Sequence, residues 1–169
     1  MSKTAAAVLA FVCLMLFSIP MSAQLLPNGN VYAGVSYGDF SDVTTKQSYR
    51  GWNGSLEMVP FSRHLHLGFV LDASGFYRTG VQQYNGLIGP RLSGNYGKWR
   101  PFFQAMAGIQ RVNNGIIYDH LAIDVGGGAD YKLPFKNFSW RVQGDYIRTH
   151  YAAASQNAYR GSTGIVWRF

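Results

Sequence analysis

Period-two alternation dominates this chain from Gln24 to Phe169. Leu65, Leu67, Phe69, Leu71 and Ala73 share one side of a run whose other side is His66, Gly68, Val70, Asp72 and Ser74. Leu121, Ile123, Val125, Gly127, Ala129 and Tyr131 alternate in the same way with Ala122, Asp124, Gly126, Gly128 and Asp130. Successive side chains of an extended strand point to opposite faces, so each run is a strand with one apolar face and one small or polar face. No stretch in that range keeps apolar residues at i, i+3, i+4 and i+7, the spacing of an amphipathic helix. Hydrophobic residues are 47% of the 169, yet beyond the N-terminus they never gather into the ~20-residue block that a spanning helix needs. Apolar residues spread this way suit a barrel whose strands show every second side chain to lipid and the rest to a lumen.

The alternation divides the chain into eight strands, residues 31–40, 48–59, 65–78, 84–93, 99–112, 121–131, 138–150 and 158–169. Their lengths match a tilted membrane strand of about 9–11 residues plus a margin above the bilayer. Turns at 60–64, 94–98 and 132–137 carry the proline, glycine and asparagine of tight reversals, and are assigned to the periplasmic side with both termini. The connections at 41–47, 79–83, 113–120 and 151–157 then face outward and are short for surface loops. The expectation is an all-β protein, an eight-stranded antiparallel up-and-down transmembrane β-barrel, monomeric, behind a cleavable signal peptide.

That peptide is read from Lys3, the apolar run from Ala5 to Ile19, and Pro20, Met21, Ser22 and Ala23: a positive start, a short apolar stretch and a small-residue cleavage site. Residues 1–23 are assigned to it and 24–169 to the barrel domain. The only cysteine, Cys13, lies inside the leader behind Val12, so neither lipidation nor a mature disulfide or thiolate metal site is expected. The net charge of +7 suggests nucleic acid for a cytosolic chain. Export replaces that partner with anionic lipid, including the phosphates of lipopolysaccharide, which arginine forks bind bidentately.

Aromatics fall toward strand ends, with Tyr37, Tyr49, Trp52, Tyr77, Tyr84 and Tyr159 at one rim and Trp99, Phe103, Tyr131, Trp140, Trp167 and Phe169 at the other. Paired girdles of this kind mark the two interfaces of a membrane. Gly34, Gly38, Gly68, Gly89, Gly108, Gly126, Gly128 and Gly164 sit in inward rows, where a narrow barrel leaves little room. The chain closes on Ile165, Trp167 and Phe169 along one face, which resembles the C-terminal signal read by the barrel-assembly machinery during biogenesis.

These residues resemble a family, the outer-membrane β-barrel domains similar to the barrel of outer-membrane protein A. The resemblance rests on Gly51, Trp52, Asn53 and Gly54; on Gly89, Pro90 and Arg91; on Arg100, Pro101 and Phe102 leading to Ala107 and Gly108; and on Gln156 and Asn157 through Gly164 to Phe169. It covers nearly all of the chain after the leader and implies a barrel-only member in the outer membrane of a Gram-negative-type envelope. No peptidoglycan-binding domain follows the barrel in this sequence, so the wall-anchoring role of larger members is not implied.

The inward rows collect Glu57, Asp72, Arg91, Asp124, Asp130, Arg141, Asp145, Arg160 and Arg168, with Gln104, Gln110 and Gln143 between them. Register counting pairs Glu57 with Arg91 and Arg141 low in the barrel, and Asp124 with Arg160 high. Paired charges of this kind plug a lumen; a narrow gated ion path is the alternative. Lys46, Arg50, Arg78, Arg111, Arg148 and Arg160 form a basic outer crown at the height of lipopolysaccharide phosphates. Catalysis is not expected: His64, His66, His120 and His150 have no serine within two residues, and Ser162 in Gly161–Gly164 precedes no helix. Gly126–Gly128 lacks the lysine and helix of a phosphate loop, and His64 with His66 lacks a third metal ligand, so no cofactor or metal is expected. The functional expectation is a structural, envelope-integrity role; a small porin-like pore, a surface adhesion module and a soluble lipocalin-like barrel with its apolar rows turned inward are the alternatives.

Overall fold

The computed structural model describes residues 28–41, 46–62, 66–78, 80–113, 117–150 and 155–169. Residues 1–27, with the expected leader and its Lys3 and Cys13, lie outside them, as do Arg63, His64 and Leu65. Eight strands follow one another: β1 Gly29–Ser41, β2 Lys46–Ser62, β3 His66–Arg78, β4 Val81–Ser93, β5 Trp99–Asn113, β6 Ile117–Lys132, β7 Phe138–His150 and β8 Ser155–Arg168. Each pairs antiparallel with the next, and β1 pairs with β8, so the sheet is a closed barrel with no free edge. Asn28 and Phe169 mark one end, called here the near end; the β1–β2, β3–β4, β5–β6 and β7–β8 connections mark the far end.

Several strands run further than the alternation alone indicates. β2, β4 and β6 begin at Lys46, Val81 and Ile117 rather than 48, 84 and 121, because paired backbone continues where the outward apolar pattern has given way to Gln82 or Asp119. The expected connection at 79–83 therefore gives up 81–83 to β4, and Gly80 before it supplies a φ of 80°. β2 continues through Pro60, placed in the expected turn, to Ser62; the register shifts between Met58 and Phe61, a bulge that accommodates a residue without an amide proton. β8 ends at Arg168, one residue before the expected end, although the Phe169 amide still donates to the Gly29 carbonyl at 3.1 Å.

The registers fix the barrel's geometry. A hydrogen-bonded row from Phe103 passes through Gly127, Gly144, Gly161, Tyr37, Arg50, Tyr77 and Gln82 and returns to β5 at Asn113, ten residues beyond its start. A stagger of this size tilts the strands, and eight strands leave a bore that side chains can fill.

Alternation sorts the faces as the sequence indicates. Leu67, Phe69, Leu71, Leu121, Ile123 and Val125 are exposed on the outer wall, while Val70, Asp72, Ala122 and Asp124 are buried inside. The outer wall carries Trp99, Phe103, Trp140 and Trp167 toward the near end and Tyr37, Trp52, Tyr77, Tyr84 and Tyr159 toward the far end, all exposed. Tyr49 departs from the expected girdle. Its place in β2 points it inward, where it is buried edge-on to Phe40, the ring centroids 4.9 Å apart.

At the closing seam Gly34 and Gly164 face each other across β1 and β8. A methyl on Gly164 would collide with the main chain of Ala33 and Gly34, which cannot swing aside as the end of a flexible side chain could. Gly164→Ala should therefore cost about 1–3 kcal/mol of stability, the usual scale of overpacking. The check is the urea midpoint at which the compact band on an unheated gel disappears; an unchanged midpoint would show that the seam yields.

Candidate functional site

Inward positions of all eight strands converge on a charged interior in two tiers. The near tier is built around Glu57 and Asp130. Arg91 donates to Glu57 at 2.9 Å, Asn30 donates to the same carboxylate oxygen at 2.7 Å, and Arg100 and Arg141 lie 3.7 and 3.9 Å from the Glu57 carboxylate. Arg141 grips Asp130 with two bonds, 2.6 and 3.0 Å, and Arg168 adds a third at 2.8 Å. The faces of these guanidiniums are covered by rings: Arg91 lies 4.4 Å from the Phe102 centroid, and Arg141 lies 4.7 Å from Phe102 and 5.0 Å from Tyr32. Rings in these positions are attractive for a desolvated cation.

The second tier, nearer the far end, has one cation at its centre. Arg160, fully buried, donates to Asp72 at 2.8 Å, to Asp124 at 3.1 Å and to Asp145 at 2.8 Å, and a further bond reaches Ser74 at 3.2 Å. Strands β3, β6, β7 and β8 are thereby tied across the bore. Gln104 joins the tiers, because its carbonyl accepts from Arg91 while its amide donates to Asp145 at 2.9 Å.

The sequence pairings of Glu57 with Arg91 and Arg141, and of Asp124 with Arg160, are all present. Four further partnerships had no sequence signal strong enough to place them. Arg100 reaches Glu57, Arg160 holds Asp72 and Asp145 together with Asp124, and Gln104 is the link. The fourth is an apolar layer above Arg160, made of Phe40, Tyr49, Phe76, Ala122, Ile147 and Ala158 with Leu87 and Met106. The interior is thus charged toward the near end and mixed toward the far end, where buried Gln110 donates to Gln83 at 3.3 Å and accepts from Thr149 beside the apolar cluster.

The outer crown is less uniform than the sequence suggests. Arg160 does not belong to it, since alternation turns this side chain into the bore. Arg111 is held by Asp119 through two bonds of 2.7 and 2.9 Å, and Arg78 lies 5.9 Å from the Tyr49 ring. Arg50 and Arg148 are exposed and make no ion pair among the described residues. The Lys46 side chain lies outside the described residues. At the C-terminus Ile165 and Trp167 face outward, and Trp167 packs 5.5 Å from the Phe169 ring.

The strand registers also set His66 opposite Ser62 and Ser93, a proximity invisible to sequence spacing. The Ser93 hydroxyl, however, approaches the His66 main-chain carbonyl at 3.5 Å and accepts from Arg100 at 2.7 and 3.1 Å. The imidazole is not its proton acceptor, so this is not the geometry of an activated nucleophile.

No protein-family model matches the chain, and no curated protein matches it. Among solved structures it is similar to Neisserial surface protein A (NspA), with a TM-score of 0.69 and 13% identity over 83% of this chain and 97% of that one. It is also similar to Ail, the attachment invasion locus protein of Yersinia pestis, with a TM-score of 0.53 and 12% identity over 86% and 100%. The outer membrane enzyme PagL gives 0.52 and 13% over 81% and 98%. These likenesses bear out the resemblance read from the sequence at the level of fold.

The two tiers yield a stability prediction. Arg160→Gln leaves three carboxylates buried without a cation, a change expected to cost about 3–5 kcal/mol. Urea unfolding in micelles should show that loss, and Asp72→Asn with Asp124→Asn in the same chain should recover at least half of it. Failure of the double change to rescue would place the cost elsewhere.

Proposed function

We propose that this chain is an integral outer-membrane β-barrel protein with a structural, envelope-integrity role and a sealed, non-catalytic interior. The observation that carries this reading is the sorting of the two faces. Val31, Val35, Leu71, Ile88, Ile109, Leu121 and Ile165 are exposed on the outer wall, while Arg91, Arg141, Arg160 and Asp124 are buried within it. In water a continuous apolar wall of this kind is a severe liability, whereas in a bilayer it is the solvated surface. The lipocalin-like alternative requires the opposite arrangement.

In this reading the aromatic bands lie at the two interfaces, the near end and both termini face the periplasm, and the leader directs export. Arg50 and Arg148 contact lipopolysaccharide phosphates at the outer rim. The C-terminal Ile165, Trp167 and Phe169 engage the assembly machinery before insertion. NspA, Ail and PagL differ in what their names declare, so their shared architecture supports a barrel in the envelope and leaves its role to side chains. Sealing is supported by the interlocked tiers, in which Arg160 alone ties three carboxylates from three strands across the bore and Gln104 links it to the tier below.

The test is planar-bilayer conductance of residues 24–169, refolded and checked by an unheated gel. Absence of discrete steps is expected. Channel steps whose ion selectivity changes in Glu57→Gln would overturn the sealed reading in favour of the pore.

A further inference from the structure

We infer that the near mouth of the barrel binds a small oxyanion, of the phosphate or sulfate class, through Arg100, Arg141 and Arg168. The site goes beyond the proposed structural role and does not depend on it.

Charge balance is the first ground. The near tier sets four guanidiniums, of Arg91, Arg100, Arg141 and Arg168, against the two carboxylates of Glu57 and Asp130. The surplus of two positive charges has its counterweight in the far tier, where Asp72, Asp124 and Asp145 share Arg160. That counterweight lies deeper in the bore, while the surplus lies at the mouth. The turns beside the mouth add Lys98 and Lys132, whose main chains meet at 2.8 Å, and no carboxylate side chain.

Unused donors are the second ground. Arg141 Nη1 and Arg168 Nε are buried and have no hydrogen-bond partner among the described residues, although their neighbouring nitrogens are committed to Asp130. Arg141 is almost wholly enclosed, and leaving a charged donor unmet there costs more than at a surface. An oxyanion with several acceptor oxygens meets guanidinium forks in the bidentate geometry they favour.

Access is the third. Arg168 keeps 27% of its side chain exposed and Arg100 13%, against 1% for Arg91 and Arg141. A solute entering from the near end meets Arg168 and Arg100 first and Arg141 behind them. All three point into the bore, so the ligand is a soluble anion and not the headgroup of a lipid on the outer wall.

The experiment uses residues 24–169 folded in zwitterionic micelles, titrated with inorganic phosphate at constant ionic strength, with chloride as the balancing salt. Saturable heat in calorimetry and a rise in thermal midpoint are expected, with chloride alone giving neither. Arg168→Gln and Arg100→Gln, each shown folded on an unheated gel, should weaken apparent affinity at least tenfold. Arg50→Gln at the opposite rim should leave it unchanged. A phosphate response no greater than that to chloride, or one equal in the Arg168→Gln and Arg100→Gln proteins, would overturn the assignment. Conductance plays no part in this readout, so its outcome is separate from that of the sealed-barrel reading.

Discussion

Everything inside this molecule depends on the hydrogen bonds that close β1 onto β8. Their register runs from Asn30 opposite Arg168 to Ser41 opposite Asn157, and it converts an open sheet with two sticky edges into a ring with none. Closure is what makes the period-two pattern binding on every strand, because a one-residue slip at the seam would turn charged rows toward the outer wall and apolar rows toward the bore. It also sets the stagger that decides which inward side chains share a level. Arg160 on β8 meets Asp72 on β3 only because the ring curves them to opposite sides of a bore narrow enough for one guanidinium to span.

That dependence explains what could be read from the sequence. Alternation is local, so the eight strands, the two faces and the inward charges were all legible, and the strong apolar contrast of Leu67, Phe69 and Leu71 against Asp72 and Ser74 anchored the phase. Height along the barrel was partly legible too, because each strand's direction is known once the order is up and down; this brought Glu57 to Arg91 and Asp124 to Arg160. Partners across the bore were not, since nothing in a strand's own residues specifies the stagger. Only the registers put Arg100 beside Glu57, and Gln104 between Arg91 and Asp145. Tyr49 misled for a related reason: an aromatic near a strand end fits a girdle on either face, and only its odd position in β2 shows that it points inward.

The interior combines two ways of filling a narrow tube. Charged tiers satisfy one another but carry a desolvation penalty that ion pairing barely offsets; the aromatic layer of Phe40, Tyr49 and Phe76 avoids that penalty and contributes burial instead. An interior apolar throughout would weaken the contrast between the faces that directs the strands, and one charged throughout would leave more buried atoms unmet. Grading the bore from charged at the near end to uncharged at the far end, where aromatic rings share the space with the amides of Gln83 and Gln110, keeps the alternation readable along most strands.

Such grading also gives the bore a direction. Four arginines with two carboxylates lie toward the termini and three carboxylates with one arginine lie deeper, joined by Gln104, so the tube is a dipole even though its ten interior charges sum to zero. A barrel needing only to be filled has no use for that separation, because pairing each arginine with its own carboxylate at one level would satisfy the same groups with less charge left over at either end. The imbalance is carried by residues on seven strands, β2 to β8, which makes it a property of the whole ring and not of one turn. A surplus of arginine beside the near mouth, and a far end filled by the Phe40, Tyr49 and Phe76 rings together with the amides of Gln83 and Gln110, mean that the two ends meet solutes on different terms.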